Sequence, residues 1–476
     1  MRKYFKSYIS FSLGVWFRAG LSFISVPVIS YLIVPEEFGK SAMFAMVFGI
    51  ISSFMFLGTN QSFLRFFNEY KENERKRLFW ACLSPSLLIV TLVTIVMLVL
   101  GDHLSIMLYK KVYPKVNLYM SITLYLAAFQ HFNQLVIRMR KKGFLYSLVE
   151  SVNVAGSFVF SLIYALMIER SFLAIVFGNM MGYALALATG IYVGWEYWKP
   201  VRFNLSEVKS VLSYGIPFVP NDLIRWVFTS VDRISLRLYS TLGEIGLYSA
   251  AAKIVSVMHL VETGFTALWY PVAFERYEKN TEDRLFYIKA FEMVSFLLFA
   301  FGFLIVGFKD IIFLLLPRTY MASAQIAPFL ILVPIMSTLT LVSTVGINLS
   351  KKTHWHMVVS AIAAFMNYIG NSILVPLYSA RGAAISTGMC FVIYFYIKTY
   401  IAEKLFPVGY GQKKVGLETI LLMGVATVGT LSTNVILNIL GGLIGFTVTL
   451  VLYKEQFKRV VKEIFSSVGL VSRKEK

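Results

Sequence analysis

The chain has 476 residues, 57% of them hydrophobic and 16% aromatic, with a mean hydropathy of +0.69; an ordinary soluble domain is about 45–50% apolar, so this composition excludes a soluble globular protein and requires lipid as solvent. The net charge of +20 would suggest nucleic acid in a soluble chain, but here the charge tracks the loops between apolar runs, and no nucleic-acid partner is expected. The two cysteines, Cys82 and Cys390, both lie inside apolar segments, which excludes an extracellular disulfide framework.

In chain order, Met1-Arg-Lys-Tyr-Phe-Lys6 leads into an apolar stretch too long for a signal-peptide core, read as a retained first helix. Segments close to the ~20 residues that cross a bilayer follow at 8–33, 40–64, 78–100, 116–137, 144–168 and 171–194. A second six follow at 211–238, 244–271, 286–308, 325–349, 356–378 and 382–403. Val415 to Tyr453 is about two spans long, with Ser432-Thr-Asn434 as a polar turn. The expected fold is therefore an all-α polytopic membrane protein of about fourteen helices. Loop charge is an independent check: loops on one side hold roughly 32 Lys and Arg, those on the other roughly 8, which places both termini in the cytoplasm. The tail sets Phe457, Val460, Val461, Ile464, Phe465 and Val468 at helical spacing among lysines, an interfacial amphipathic helix or a solvated one.

An offset of 207 residues takes Glu37-Phe-Gly39 to Glu244-Ile-Gly246, Arg18 to Arg225 and Phe67 to Phe274. An offset near 211 aligns Glu169-Arg170 with Ala380-Arg381. This internal repeat divides the chain into a six-helix lobe (1–200), a second, pseudo-symmetric one (201–404), an additional helix pair (405–454) and a basic tail (455–476). Six is even, so the lobes are parallel repeats, a plan in which transporters place the site between the halves.

Ionisable groups inside spans cost about 2.5–3.5 kcal/mol each on insertion scales and normally face a protein interior or a wet cavity. Arg18 stands about ten residues into the first span, and no carboxylate lies within four positions of it. The seventh span carries Asp222, Arg225, Asp232, Arg233 and Arg237, with Asp222, Arg225 and Asp232 on one helix face; the eighth carries Lys253, His259 and Glu262, the last two adjacent at i,i+3. Two mid-membrane arginines match a diphosphate, because guanidinium groups bind phosphate oxygens bidentately and stay charged. The competing reading is structural: Arg225 paired with Asp222 or Asp232, and His259 with Glu262. Arg237 and Arg381 near the outer interface are expected to snorkel. Pro27, Pro217 and Pro220 are candidate kinks. No phosphate-binding Gly-Lys-Ser/Thr loop, metal-spaced Cys/His cluster or nucleophile elbow occurs, so no catalytic residue, metal or cofactor is expected. His354 and His356 around Trp355 read as an interfacial anchor rather than a metal site.

Tyr31-Leu-Ile-Val-Pro-Glu-Glu-Phe-Gly39, Leu57-Gly-Thr-Asn-Gln-Ser-Phe-Leu-Arg65, Ser213-Tyr-Gly-Ile-Pro217, Ser230-Val-Asp-Arg233, Glu244-Ile-Gly-Leu-Tyr-Ser249, Asn367 to Pro376 and Arg381-Gly-Ala-Ala-Ile385 together resemble the polysaccharide-transporter (O-antigen-type) flippases of the multidrug/oligosaccharidyl-lipid/polysaccharide superfamily. The resemblance spans nearly the whole chain. It implies a two-lobe bundle in the bacterial inner membrane that moves undecaprenyl-diphosphate-linked glycans from the inner to the outer leaflet by alternating access. Arg18, Arg225, Arg233 and Lys253 would then be the substrate-binding residues, and Asp222, Asp232, His259 and Glu262 the ion-coupling candidates. The partners implied are the lipid-linked glycan, membrane lipids and other polysaccharide-assembly proteins. A cation-coupled multidrug extruder of the same superfamily would need an acidic cavity, and a membrane enzyme of polysaccharide assembly a large outer loop or paired catalytic groups.

Overall fold

The computed structural model describes residues 17, 18, 20–281 and 283–467. The first half of the first expected span, and Val468 of the tail, lie outside them. The described residues are almost entirely helical, and the chain divides into two compact units, Met1–Lys253 and Ile254–Lys476.

In the first unit α1 (Gly20–Leu32), α2 (Pro35–Met55), α3 (Thr59–Phe66), α4 (Arg75–Tyr109), α5 (Pro114–Met139), α6 (Gly143–Met167) and α7 (Phe172–Trp198) are followed by α8 (Leu205–Gly215) and α9 (Val219–Tyr239). Helix α10 (Leu242–Val255) reaches the unit boundary. The second unit holds α11 (His259–Lys279), α12 (Arg284–Gly307), α13 (Lys309–Phe313), α14 (Ser323–Leu330), α15 (Leu332–Ser343), α16 (Val345–Leu349), α17 (His354–Leu405), α18 (Gln412–Leu431), α19 (Val435–Leu452) and α20 (Lys454–Ser467).

Among the described residues, nine helical stretches are long and apolar enough to cross a membrane. One of them, the 52-residue α17, breaks at Ser379, whose φ of 48° and ψ of −127° leave the helical region, and so supplies two crossings. With α1, α5, α8–α9 and α10–α11 the total is the expected fourteen. Asn434 ends the polar turn as expected, its side chain accepting from the amides of Ile436 and Leu437 to cap α19.

Proline acts differently at the two expected kinks. Pro217 sits in a 3-10 turn, Ile216–Phe218, that separates α8 from α9, whereas α1 runs on through Pro27, where one missing amide donor is a local loss.

Within a bilayer apolar burial gives helices no reason to associate, so close packing and small residues hold them. Gly178 of α7 packs where an added Cβ would lie 2.0 Å from Ser161 Oγ of α6, and Gly182 where it would lie 2.0 Å from Ser157 Oγ. The outward face of α4 is lipid-like, with Leu98 75% and Val99 72% exposed. An aromatic core of Phe63, Phe67, Phe79, Phe132 and Tyr197 ties α3, α4, α5 and α7 together through edge-on contacts.

The repeated Glu-x-Gly motif meets itself. A Cβ on Gly39 would stand 1.8 Å from the carbonyl oxygen of Leu242, and one on Gly246 would stand 1.8 Å from that of Pro35. Since 35 and 242, like 39 and 246, differ by 207, the contact is reciprocal, as a local two-fold axis between α2 and α10 demands. Beside it, Glu37 pairs with Lys40 and accepts from the Phe172 amide 2.8 Å away, capping α7.

Candidate substrate cavity

Two contiguous cavities lie wholly within the first unit. The larger, about 610 Å³, is walled by α2 (Gly49, Ser53, Asn60 beyond its break) and by Asp222, Arg225, Trp226 and Thr229 of α9. The smaller, about 350 Å³, extends among α2, α5, α6 and α7 past Gln130, Gln134, Glu150, Asn153 and Tyr183. Ser52, Phe56 and His131 line both. Helix α9 is fixed against α2 by the Trp226 indole, which donates to the Met46 carbonyl at 3.1 Å, and Gly49 leaves the space that this indole occupies.

Of the sequence-predicted residues, Asp222 and Arg225 line the larger cavity. Neither carries an ion pair with a described residue, so Arg225 presents its guanidinium to the cavity. Asp232 does not join them. It lies about 15 Å further along the helix at 1.5 Å per residue, where the same side meets α10; it is buried and accepts from Tyr248 Oη at 2.5 Å. Arg233 is half-buried and reaches its own helix backbone at Thr229 O, 3.4 Å away. Lys253 is exposed, with its ammonium 4.9 Å from the centroid of the Phe38 ring.

Arg18 has a partner that its own span could not reveal. It forms an ion pair with Glu150 of α6, which lines the smaller cavity. Arg237, expected to snorkel, donates to the carbonyls of Leu108 (2.9 Å) and Met107 (2.6 Å) and so caps the C-terminus of α4, where a cation meets the negative end of the helix. Arg381, the other arginine expected to snorkel, bonds to Gln325 of α14.

In the second unit His259 and Glu262 pair at 2.7 Å, as their spacing predicts, and Glu262 also accepts from Ser337 at 3.1 Å. His356 contacts Asn348 Oδ1 at 3.0 Å, and no group of three metal-ligating side chains occurs among the described residues. Reading charge only in the first, seventh and eighth spans missed Glu150, and with it buried Lys398, bonded to Tyr394 Oη, and buried Glu418, bonded to Thr449. Each is a single charge in an otherwise apolar run, visible as such in the sequence.

Against known families, residues 5–277 match the family described as "Polysaccharide biosynthesis protein". The chain belongs to that family. No curated protein matches this member of the family. Among solved structures its fold is similar to a lipid II flippase, MurJ, in an inward closed conformation, with a TM-score of 0.72 at 14% identity over 94% of this chain and all of that one. It is also similar to an inward-facing multidrug resistance MATE family transporter of the MOP superfamily, with a TM-score of 0.58 at 15% identity, covering 81% of this chain and 94% of that one. A mutant form of a MATE transporter from Vibrio cholerae, VcmN, gives 0.55 at 15% identity, covering 84% and 98%. The polysaccharide biosynthesis protein described here is thus a multi-pass membrane protein with the fold of these flippases and transporters.

Proposed function

We propose that the chain is a flippase that carries a polyprenyl-diphosphate-linked saccharide from the inner to the outer leaflet of the bacterial cytoplasmic membrane by alternating access. The observation that carries this reading is Arg225, a guanidinium without an ionic partner among described residues, facing a 610 Å³ cavity inside a membrane-spanning unit. A permanent cation held at that depth at a cost of a few kcal/mol is matched by a permanent anion, and a diphosphate offers its oxygens in the planar geometry a guanidinium prefers. Arg233 and Lys253 add positive charge along the same helical hairpin. Both termini are cytoplasmic in this reading, the lobes are 1–200 and 201–404, and 405–454 is an added pair. Ion coupling is assigned to His259 and Glu262, a hydrogen-bonded acid–base pair, and to Asp222 and Asp232.

Asp222 beside Arg225 favours one alternative, a cation-coupled multidrug extruder. Arg225→Ala separates the two. Surface glycan, scored at matched protein level in cells depending on this chain, is expected to fall by at least tenfold, in line with the ~1.5–3 kcal/mol of hydrogen bonds to a charged group. Unchanged glycan together with lost resistance to organic cations overturns the flippase reading.

A further inference from the structure

We infer that the smaller cavity is a recognition pocket for the neutral sugar residue joined directly to the diphosphate, read chiefly by the amide of Gln130. The inference rests on the flippase reading above and specifies what that substrate carries.

Gln130 is 2% exposed, lines this cavity, and neither its Oε1 nor its Nε2 has a hydrogen-bond partner. Buried amides are almost always paired, and leaving both atoms unpaired is costly unless a ligand completes them. The same is true of Ser52 Oγ and His131 Nε2 on the shared wall, and of Asn60 Oδ1 in the larger cavity. The unsatisfied set contains donors and acceptors together, the pattern that complements hydroxyl and acetamido groups.

Charge narrows the ligand further. The carboxylate of the pocket, Glu150, is already neutralised by Arg18, so neither a cation nor an anion is called for. An apolar ligand would leave Gln130 unpaired. Aromatic surfaces complete the walls: His131 is stacked on Phe56 with centroids 4.3 Å apart, and Phe48 lies 5.9 Å from Tyr183. Apolar walls with a few convergent polar groups in a few hundred Å³ are the usual form of a small-molecule pocket. Arg225 stands in the adjoining cavity across Ser52, Phe56 and His131, so a diphosphate held there would place its first sugar at the entrance to the pocket.

The test uses the full chain in nanodiscs and two probes, polyprenyl diphosphate bearing one N-acetylhexosamine and the same polyprenyl diphosphate without sugar. The intact protein is expected to prefer the sugar-bearing lipid. Gln130→Leu, close in size but without polar atoms, should lower affinity for that lipid about tenfold and leave the bare lipid unchanged, because polar sites lose most when one side of a hydrogen bond is removed. Gln134→Leu, on the less buried rim, should act in the same direction and serves if Gln130→Leu does not fold. Arg225→Ala should weaken both lipids alike. No sugar preference in the intact chain, with binding still sensitive to Arg225→Ala, leaves the pocket merely hydrated and overturns the inference alone. Equal weakening of both lipids by Gln130→Leu also overturns it. Failure of the intact chain to bind either lipid overturns the flippase reading and the pocket with it.

Discussion

Replacing Gly39 with alanine puts a methyl group 1.8 Å from the Leu242 carbonyl oxygen, whereas side-chain carbons essentially never approach within 3.0 Å. The gap must open by about 1.2 Å, and both sides are helix backbone, so no rotamer change can relieve it. Helices α2 and α10 must move apart along their whole contact, at a cost of ~1–3 kcal/mol typical of overpacking. Gly246→Ala imposes the same separation from the other side, against the Pro35 carbonyl. Once the helices have separated for one methyl, the second fits with little further loss. The double variant should therefore cost about as much as either single one, a coupling of ~1–3 kcal/mol between residues in contact. Gly243→Ala is the control: its Cβ would meet nothing nearer than 3.7 Å, and a helical glycine replaced by alanine gains ~0.5–1 kcal/mol. Unfolding of the purified protein in mixed micelles measures all four. Costs for the two single variants no greater than that of Gly243→Ala, or a double variant equal to their sum, would refute the reciprocal contact.

Breaking the Arg18–Glu150 pair at one end leaves a partly buried charge unmatched. Thermal unfolding should therefore show Arg18→Met or Glu150→Leu to be more harmful to stability than the two together; if the double variant is stable yet exports no glycan, Arg18 also serves substrate. Tyr248→Phe removes the hydroxyl that Asp232 accepts and is expected to lower stability by ~1–3 kcal/mol in the same unfolding assay. Asn434→Ala removes the cap of α19 and should cost ~0.5–2 kcal/mol, seen as an earlier melt with no change in lipid binding.

The crossings were legible because a bilayer imposes one length and one polarity on each, and loop charge checks their parity. The break at Ser379 inside α17 left Pro376 and Arg381 as its traces in the sequence. The partners of the charged groups were not legible. Arg18 and Glu150 are 132 residues apart, and one carboxylate among some twenty apolar residues scarcely moves a hydropathy average. Periodicity put Asp222 and Asp232 on one face, which the helix respects, but only packing decides that one end of that face opens on a cavity and the other meets Tyr248. Helix α5 carried its signal in plain view: Gln130, His131, Asn133 and Gln134 make it too polar to stand beside the nine most apolar stretches, and three of the four line the cavities.

Helix α4 runs for 35 residues, about 52 Å at 1.5 Å per residue, against a hydrocarbon core of about 30 Å. Tilt of the usual ~20° absorbs only a few ångströms of that excess, so several turns must stand clear of the lipid tails. The end that Arg237 caps is then bathed in headgroups or water, and a cysteine placed at Lys110 or Lys111 would be open to a membrane-impermeant thiol reagent from one side of the membrane only. Helix length thus turns a loop of two lysines into a ruler for local membrane thickness and a direct handle on which way the chain is threaded.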